Sequence, residues 1–397
     1  MSSLRLLYLD VPFEHETGGD KNRSRFLWHA LREHCEVDLV LMGREPANAR
    51  AAWTRYRPLA LLPPQTPPFP RSASIPAFAR ESHDQFVRLL RDRNHAGVFA
   101  RFCTGWELCH HAVRECPRTA IVMDVDMLSS RLVARSWAAQ RSLRRRWFLF
   151  ETWRLQRFER QLFREPWLFL FTNPTELAAV RDRLAPRNAP DRFALLPNTM
   201  PQAEHVRDAQ RQPVILFFGS MDSAANIDGF AFLLDEVLPL LDQDLKQAGV
   251  EIHVVGKNPP AHFGQRLAGG GVERIRIRGG VDSIERAIAE SLFVLLPLRI
   301  ASGTRTRILE AAAQARAVVT TPLGAEGLEL GDAVLLGQTA PDLAAQVRRL
   351  LAQPDEATAL GQRLRQRALS RYAADQVAGD LVRAVESFVG RRQEGSR

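Results

Sequence analysis

The chain of 397 residues is 45% hydrophobic and 25% charged, a composition typical of globular proteins, and its length favours two domains over a single core. No apolar run reaches the roughly 18 residues that a membrane-spanning helix needs. The formal net charge of +9 comes almost entirely from arginine and fits an anionic substrate, an anionic membrane surface, a nucleic acid or an ordinary solvated surface.

Strands and helices alternate through the first half of the chain. A loop containing Gly18 and Gly19 follows the first strand, and a helix is predicted from about Asn22 to Glu33. The proline-rich stretch from 61 to 76 is unsuited to the interior of a sheet and is predicted as a loop. Strands are predicted at 4–10, 37–42, 97–103, 120–126 and 168–171. These buried runs do not alternate with polar residues, so they predict a parallel sheet covered by helices on both faces.

A polar, proline-marked stretch from 197 to 213 separates this half from a second series of the same kind. The second series opens with the strand PVILFFGS at 213–220 and continues with VEIHVVG, RIRIRG, LFVLLPL and AVVTT. Two consecutive parallel α/β units are expected to bind their ligand in a cleft between them, lined by the loops at the carboxyl ends of the strands.

The most informative stretch is PLRIASGTRTRILEAAAQARAVVTT, which runs from 297 to 321. A buried strand ends near its start and an apolar helix is predicted to begin near Thr304, so Ser302, Gly303 and Thr304 lie at a helix N-terminus. Free backbone amides and the helix dipole attract an anion there. Gly303 lets a phosphate approach the backbone closely, and Thr304 is a natural cap.

Four charged residues surround this turn. Arg299, Arg305 and Arg307 carry guanidinium groups, whose geometry suits phosphate oxygens. Glu310 lies within two helical turns and can accept hydrogen bonds from the hydroxyls of a ribose. The same residues also fit an ordinary helix cap, with arginines facing solvent and Glu310 paired with one of them, and the spacing alone does not decide between the two.

The stretch PLRIASGTRTRILEAAA, followed by VVTTPLGAEGL, resembles the donor-site signature of family 4 glycosyltransferases, the large group 1 family with the GT-B fold, in its GSGTR…EA subgroup. ILFFGSMDSAANIDGFAFLLDEVLPLL and IRIRGGVDSIERAIAESLFVLLPLR resemble the start of that family's C-terminal domain and its base-binding segment. VPFEHETGGDKNR, IVMDVDMLSSR, FTNPTELAAV and FALLPNTM resemble its glycine-rich loop, D-x-H-D region, S-x-x-E segment and the Pro-Asn step before the linker. The similarity covers most of the chain and is most specific from 297 to 328.

This resemblance implies an α/β protein of the GT-B fold, with two Rossmann-like domains facing each other across a cleft. The implied domains are an acceptor-binding domain over 1–200, a nucleotide-sugar-binding domain over 201–372 and a helix over 373–397 that crosses back to the first domain. The implied reaction moves a sugar from a UDP-, GDP- or dTDP-sugar to a hydroxyl of a glycan, glycolipid or other acceptor. It is expected to proceed with retention, without a metal or tightly bound cofactor, in bacterial polysaccharide or glycoconjugate synthesis.

Two other readings of the same fold remain open from the sequence. One is a sugar-nucleotide or glycan-binding protein without transferase activity, and the other is an epimerase. Nucleic acid is not an expected partner, because the arginines are dispersed and no nucleic-acid-binding module is present.

The resemblance also implies roles for individual residues. Glu310 is expected to bind the ribose, and the amides of Gly303 and Thr304, with Arg305, are expected to bind the diphosphate. Gly18 and Gly19 are expected to face the phosphates or the acceptor. The other residues of the implied donor site are Gly219, Ser220, Arg299, Ser302, Arg307, Glu326 and Gly327.

Catalysis by such a site needs charge near the breaking bond. Arg305 is expected to stabilise the leaving diphosphate. Asp124 or Asp126, at the end of the AIVMDVD strand, is expected to lie near the anomeric carbon and stabilise an oxocarbenium ion. For either aspartate, a surface or capping role is the alternative.

The chain departs from the family pattern at two places. The first of the family's two glutamates falls at Ser302. The Arg and Lys that often follow the first strand of the C-terminal domain are missing from GSMDSAANIDG. We therefore expect Arg299, Arg305 and Arg307 to neutralise the diphosphate instead.

The segment from 136 to 163 is predicted as one long helix. Phe148, Leu155, Phe158 and Leu162 recur at the helical spacing of a core-facing stripe. Phe150 and Trp153 lie on another face, and several arginines precede them. Aromatics beside arginines dock proteins on anionic bilayers, but they also pack under loops or form dimer contacts, and periodicity does not decide among these.

The four cysteines, Cys35, Cys103, Cys109 and Cys116, are too few for a disulfide scaffold and lack the CxxC spacing of a metal site. Buried thiols in a reducing compartment are expected. The N-terminal MSSLRLLYLD lacks the features of a signal peptide. We therefore expect a cytoplasmic protein, with peripheral contact at the inner face of the membrane left open.

Overall fold

The computed structural model describes residues 4–11, 19–44, 57–67, 72, 74–139, 145–183, 190–201, 209–221, 223–268, 273–300 and 303–394. The chain divides into two compact units. The first comprises Met1–Ala134, Ser142–Asn198 and Asp375–Arg397, and the second comprises Arg135–Arg141 and Thr199–Ala374. Each unit contains a parallel sheet with helices on both faces, as the buried, non-alternating strands predict.

The first unit is built on a seven-stranded sheet in the order β3-β2-β1-β6-β7-β8-β9, and every neighbouring pair is parallel. A separate antiparallel pair is formed by β4 and β5. The strands are β1 (Arg5–Asp10), β2 (Glu36–Leu41), β3 (Ala60–Leu61), β4 (Pro64–Gln65), β5 (Ala77–Phe78), β6 (Gly97–Arg101), β7 (Ala120–Val125), β8 (Leu168–Phe171) and β9 (Phe193–Leu195). The helices are α1 (Gly19–Arg32), α2 (Arg80–Asp92), α3 (Trp106–Glu115), α4 (Ser129–Ala139), α5 (Arg145–Leu162), α6 (Pro174–Arg183) and α15 (Ala374–Glu394). The residues of α4 from Arg135 onward belong to the second unit.

Alternate side chains of these strands enter two different cores. On β1, Leu7 and Leu9 join one cluster with residues of α2, α3 and α5, whereas Leu6 and Tyr8 join another with residues of α1. The C-terminal helix α15 contributes Val377, Leu381, Val385, Phe388 and Val389 to this second cluster. The last helix of the chain therefore helps to bury the sheet of the first unit.

The second unit is built on a six-stranded parallel sheet in the order β12-β11-β10-β13-β14-β15. The strands are β10 (Val214–Phe218), β11 (Glu251–Val255), β12 (Ile275–Gly279), β13 (Phe293–Leu296), β14 (Val318–Thr320) and β15 (Leu335–Leu336). The helices are α7 (Ala224–Phe232), α8 (Leu238–Ala248), α9 (Ala261–Ala268), α10 (Ile284–Glu290), α11 (Thr306–Ala313), α12 (Pro322–Ala325), α13 (Ala340–Ala352) and α14 (Pro354–Tyr372).

Each sheet reverses its strand order at one point. In the first unit the chain moves outward from β1 to β2 and then returns to β6 on the other side of β1. In the second unit it moves outward from β10 to β12 and returns to β13 beside β10. In open α/β sheets, ligands bind outside the carboxyl ends of the strands at such a reversal. The ends of β1 and β6, and of β10 and β13, are therefore the places to look for function.

Three local predictions can be compared with these elements. The first helix begins at Gly19, three residues earlier than predicted. Of the predicted long helix from 136 to 163, the structure describes the part in α4 and the part in α5, and residues 140–144 lie outside the described residues. Within the described segments, no helix combines the length and apolar character needed to cross a membrane.

Candidate functional site

The strand β10 is followed directly by a glycine, Gly219, with side chains packed closely around it. Gly219 has φ +147°, and a Cβ placed on it would lie 2.7 Å from Nδ2 of Asn226 and 2.8 Å from Nη1 of Arg307. Its carbonyl oxygen would in turn lie 2.0 Å from a Cβ placed on Gly256, which follows β11. Glycine at these two positions lets polar groups from α7 and α11 reach the end of the sheet.

Arg307 is the cationic group that reaches this strand end. It is the second residue of α11, and its Nη1 donates a hydrogen bond of 2.8 Å to the carbonyl oxygen of Phe218, 89 residues earlier in the chain. Burial, together with the nearby Arg305, lowers the pKa of Arg307 to about 10. The side chain therefore stays positively charged at neutral pH, at the strand end where the loop sequence itself supplies no cation.

The turn before α11 is shaped by a glycine and an arginine. Gly303 is buried and has φ +68°, a left-handed conformation that favours glycine, and Nη2 of Arg305 donates 2.8 Å to its carbonyl oxygen. The helix begins at Thr306, with Arg305 at the N-cap position. The prediction that Thr304 caps this helix is therefore wrong, because the left-handed Gly303 and the Arg305 bond keep residues 303–305 in a turn. Ser302 lies outside the described residues.

Glu310 lies one turn after Arg307 on α11, so the two side chains share a face of the helix. Burial raises the pKa of Glu310 to about 7; Arg307 opposes this shift and Glu285 adds to it. The carboxyl group is therefore poised between its neutral and ionised forms near neutral pH.

Arg299 is held by acidic partners of its own. Its Nε and Nη2 lie 3.1 and 2.9 Å from the carboxylate oxygens of Asp228, and its Nη1 lies 3.0 Å from Glu236. The guanidinium carbon also lies 4.5 Å from the ring centroid of Phe232. Of the three predicted arginines, Arg305 and Arg307 thus bond to backbone carbonyls around the turn, whereas Arg299 is matched by two carboxylates.

The other predicted donor-site residues lie in the loop after β10 and directly after α12. Asn226 Nδ2 donates 2.6 Å to the carbonyl oxygen of Ser220, which fixes the loop after β10. Glu326 follows α12 and forms an ion pair of 2.6 Å with Arg135, a residue that also belongs to the second unit. The next residue, Gly327, has φ +86°.

Two threonines that were not predicted as site residues form hydrogen bonds between the carboxyl ends of β13 and β14. Thr320 Oγ1 donates 2.6 Å to the carbonyl oxygen of Leu296, the last residue of β13. Thr321 Oγ1 donates to the carbonyl oxygen of Leu298 and accepts 2.9 Å from the amide of Gly324. The repeated Thr-Thr directly after an apolar strand was the sequence signal for these bonds.

In the first unit, Asp124 is completely buried within β7. It forms an ion pair of 2.6 Å with Arg23 of α1 and a second one with Arg101 at the end of β6. Burial alone would raise the pKa of Asp124, but the two arginines outweigh it and hold the pKa below its usual range. Neither arginine was predicted as a site residue, because each meets Asp124 only in the folded sheet.

Arg23 also binds the chain just before it leaves the first unit. Its Nη1 donates 3.0 Å to the carbonyl oxygen of Pro197 and to Oδ1 of Asn198, and its Nη2 donates 3.0 Å to the carbonyl oxygen of Leu196. The Pro-Asn step is therefore anchored to the same ion-pair network as Asp124.

Asp126 follows β7, and its side chain keeps 11% of its surface exposed. Its Oδ2 lies 3.8 Å from Nη2 of Arg101. Asp10, at the end of β1, is a further acidic group that the sequence analysis missed; burial raises its pKa to about 6, although Arg101 and Ser24 oppose the shift. The ends of β1, β6 and β7 thus carry Asp10, Arg101 and Asp126, while Gly19 opens α1 and Gly18 lies outside the described residues.

Comparison with known proteins gives a family match to part of the chain and a fold for nearly all of it. Residues 212–353 match the model of the family described as glycosyl transferases group 1. No curated protein sequence gives a significant match.

Three solved structures illustrate the fold. HepE of Anabaena, in complex with UDP and glucose, has 13% identity and a TM-score of 0.68, with 97% of this chain and 100% of that chain covered. Sucrose-phosphate synthase from Thermosynechococcus elongatus has 17% identity and a TM-score of 0.68, with coverage of 97% and 99%. WaaG, a glycosyltransferase involved in lipopolysaccharide biosynthesis, has 15% identity and a TM-score of 0.62, with coverage of 94% and 99%.

These findings confirm the predicted fold and the predicted class of enzyme. The α/β architecture with two Rossmann-like domains is that of GT-B glycosyltransferases. The match to the group 1 glycosyltransferase model covers residues 212–353, which contain the 303–310 turn and helix. The assignment to family 4 and its subgroup, the domain roles and the roles of individual residues stay predictions.

Proposed function

We propose that this group 1 glycosyltransferase belongs to the family 4 subgroup and transfers a sugar, with retention, from a nucleoside-diphosphate donor held by its second unit. The observation that carries the proposal is the placement of Arg307 against the end of β10, 2.8 Å from the carbonyl oxygen of Phe218 and beside Gly219. A cation at the strand-order reversal of a parallel sheet, next to a helix N-terminus, suits a diphosphate.

In this site Arg305 and Arg307 supply the counter-charge, and the amides of Gly303 and Thr304 complete the binding of the phosphates. Arg307 takes the place of the basic residues that are missing after β10. We do not assign this role to Arg299, because Asp228 and Glu236 already match its charge. One charge-assisted hydrogen bond contributes about 1.5–3 kcal/mol, so the two arginines can anchor the ligand.

Glu310 is placed to bind the ribose. It shares a helix face with Arg307, and the ionised carboxylate can accept hydrogen bonds from two adjacent hydroxyl groups. Gly219, Ser220, Glu326 and Gly327 are proposed to line the remaining donor pocket. The solved HepE complexes contain UDP or UDP-glucose, so UDP-sugars are the first donors to test.

The chemistry follows from this charge distribution. Positive groups aimed at the leaving diphosphate stabilise the charge that grows as the glycosidic bond breaks. The acceptor hydroxyl attacks on the face that the diphosphate leaves, and a phosphate oxygen takes its proton. Asp126 is the better candidate to stabilise the oxocarbenium ion, because part of its side chain is exposed, whereas Asp124 is completely buried between two arginines.

The acceptor is proposed to be a glycan or glycolipid hydroxyl in polysaccharide or glycoconjugate synthesis. A specific observation favours contact with an anionic membrane: Trp147, Phe150 and Trp153 are exposed on α5, while Leu155, Phe158 and Leu162 of the same helix are buried. Arg154 and Arg157 lie over the rings of Phe150 and Trp153 at 5.5 and 6.0 Å. Binding to phosphatidylglycerol vesicles but not to phosphatidylcholine vesicles, weakened by Trp153→Ala, is expected; equal binding to both would contradict the proposal.

A donor screen tests the transferase proposal. The intact protein is incubated with UDP-, GDP- and dTDP-sugars, and its thermal stability is measured. A donor present at 100 times its dissociation constant should add about 2.7 kcal/mol of stability. The selected donor is then followed by NMR with and without a hydroxyl acceptor.

The NMR products separate the candidate functions. Free nucleoside diphosphate with a sugar or glycoside of retained configuration supports the transferase. Conversion of the donor to an isomeric nucleotide sugar would indicate the epimerase, and binding without turnover would indicate a binding protein.

A further inference from the structure

The segment that follows β7 and leads into α4 is held by buried side chains from other elements. Thr172, which follows β8, donates a hydrogen bond of 2.7 Å from its hydroxyl to the carbonyl oxygen of Asp126. Two residues further on, the amide of Leu128 donates 3.0 Å to Oε2 of Glu176 in α6. Hydrogen bonds from β8 and α6 therefore hold the backbone at and after Asp126, the proposed catalytic aspartate.

A second carboxylate fastens the start of α4. The amide of Ser130 donates 3.0 Å to Oε1 of Glu159 in α5, and the hydroxyl of Ser130 donates 2.6 Å to Oε2 of the same carboxyl group. Glu159 and Glu176 are only 4% and 1% exposed. The first amides of a helix have no acceptor within the helix, and the positive end of its dipole favours negative charge, so these two carboxylates suit the place they occupy.

Burying the carboxyl groups of Glu159 and Glu176 side by side lowers the stability of the folded protein. Burial, with a smaller contribution from the carboxylate of Glu176, raises the pKa of Glu159 to about 7, although the two hydrogen bonds from Ser130 oppose the shift. The titratable groups that face Glu159 are Glu176 of α6 and Cys103, which follows β6, and the hydroxyl of Ser130 faces it from α4. A neutral capping residue within α4 would satisfy the same amides without two neighbouring buried acids.

We propose that Glu159 and Glu176 are positioning residues that hold the 126–130 segment, and with it the carboxylate of Asp126, in the geometry that sugar transfer requires. The inference rests on the proposed function, because the two glutamates position Asp126 for catalysis only if the protein transfers a sugar. Neither glutamate touches substrate; each acts through the backbone that carries Asp126.

The ionised form of Glu159 is the one that holds Ser130 through both oxygens. Since the pKa of Glu159 is raised above its ordinary value of 4.5, its deprotonation makes the folded protein less stable as pH rises from about 4.5 through 7. The substitution Glu159→Gln removes this loss. At pH 8 the variant should therefore be at least as stable as the wild type, although its segment is held less well.

The test compares Glu159→Gln, Glu176→Gln and a control, Glu151→Gln. Glu151 is a third buried carboxyl group, 3% exposed on the same helix as Glu159, but it bonds to Ser72 and Arg154. At pH 8 we expect kcat to fall roughly 10- to 100-fold in the first two variants, as for a misplaced catalytic group, with the KM for donor unchanged. The control should keep the wild-type kcat.

Three readouts separate the possible explanations. A thermal midpoint of Glu159→Gln that falls together with kcat, or a kcat equal to that of the control, would overturn the positioning role. Unchanged UDP affinity in all variants shows that the donor site is intact. If the wild type binds donor but transfers nothing, the proposed function fails, and the positioning role for sugar transfer fails with it. Amide hydrogen exchange tests separately whether Glu159 holds the segment: faster exchange confined to residues 126–131 in Glu159→Ala supports this, and wild-type exchange there overturns the inference even if transfer is observed.

Discussion

Both units place arginines at the strand-order reversal of a parallel sheet, but the surroundings of these arginines differ. In the first unit, Arg23 and Arg101 are buried and matched by the carboxylate of Asp124. In the second unit, Arg305 and Arg307 donate to backbone carbonyls of the turn and of β10. The first arrangement pairs its guanidinium groups directly with a carboxylate and stabilises the fold, whereas the second places the guanidinium group of Arg307 at a glycine-lined strand end, where an anion can bind.

The largest expected effect on stability comes from removing Asp124, which pairs with both Arg23 and Arg101 in the first unit. Asp124→Asn removes the carboxylate shared by Arg23 and Arg101. Arg101 keeps Asp126 at 3.8 Å, but the buried guanidinium group of Arg23 loses its ion-pair partner, so the first unit should lose about 3–5 kcal/mol of stability. Tryptophan fluorescence during urea unfolding measures this, because six of the seven tryptophans, all except Trp137, lie in the first unit. UDP affinity should stay near the wild-type value under native conditions.

The matched control for this experiment is Glu115→Gln. Glu115 pairs with Arg91 at 3.1 Å, and both side chains are about half exposed, so the substitution should change the urea midpoint little. If Asp124→Asn destabilises the first unit no more than Glu115→Gln does, the buried network is not the stabilising element described here.

A smaller effect is expected from adding a Cβ atom at Gly219, beside Arg307 in the second unit. Gly219→Ala places a Cβ within 3 Å of Arg307 and Asn226 at a φ of +147°, so it should cost about 1–3 kcal/mol of stability and weaken UDP binding about tenfold by displacing the guanidinium. Gly249→Ala is the control, because Gly249 also has positive φ but a Cβ there meets nothing within 4 Å. Equal UDP affinities for the two variants would contradict the account.

The smallest expected effect is a pH dependence of donor binding. The pKa of Glu310 is about 7, above its ordinary value of 4.5, so the stability of the protein falls as pH rises from 4.5 through 7. Only the ionised carboxylate accepts through both oxygens, so affinity for UDP-glucose should rise by at most about tenfold from pH 6 to 8. Calorimetry at several pH values measures this, and a slope that persists in Glu310→Gln would exclude Glu310 as its source.

The sequence predicts the longer strands because they are continuous apolar runs, such as ILFF and FVLL, separated by helical patterns. It misses β3, β4, β5, β9 and β15, which are only two or three residues long, and the stretch from 61 to 76 that it predicts as a loop contains β4 and the last residue of β3. It also locates the turn before α11, because a glycine flanked by arginines between an apolar strand and an apolar helix indicates a turn that can bind an anion. The two-residue error at the start of α11 has a local cause, the left-handed Gly303 and the Arg305 bond to its carbonyl.

What the sequence could not predict are the partners that only the fold brings together. Arg23 and Asp124 are 101 residues apart, and Arg307 and Phe218 are 89 residues apart. The identical residue types Arg299 and Arg307 are equally plausible phosphate ligands in the sequence. Only their partners, two carboxylates in one case and a strand-end carbonyl in the other, distinguish them.

Calorimetric titration with UDP tests the central claim most directly, using the wild type, Arg307→Ala and Arg299→Ala. Because a charge-assisted hydrogen bond contributes about 1.5–3 kcal/mol, Arg307→Ala should bind UDP at least tenfold more weakly, and Arg299→Ala should bind it nearly as well as the wild type. Wild-type affinity in Arg307→Ala, or a loss confined to Arg299→Ala, would contradict the account.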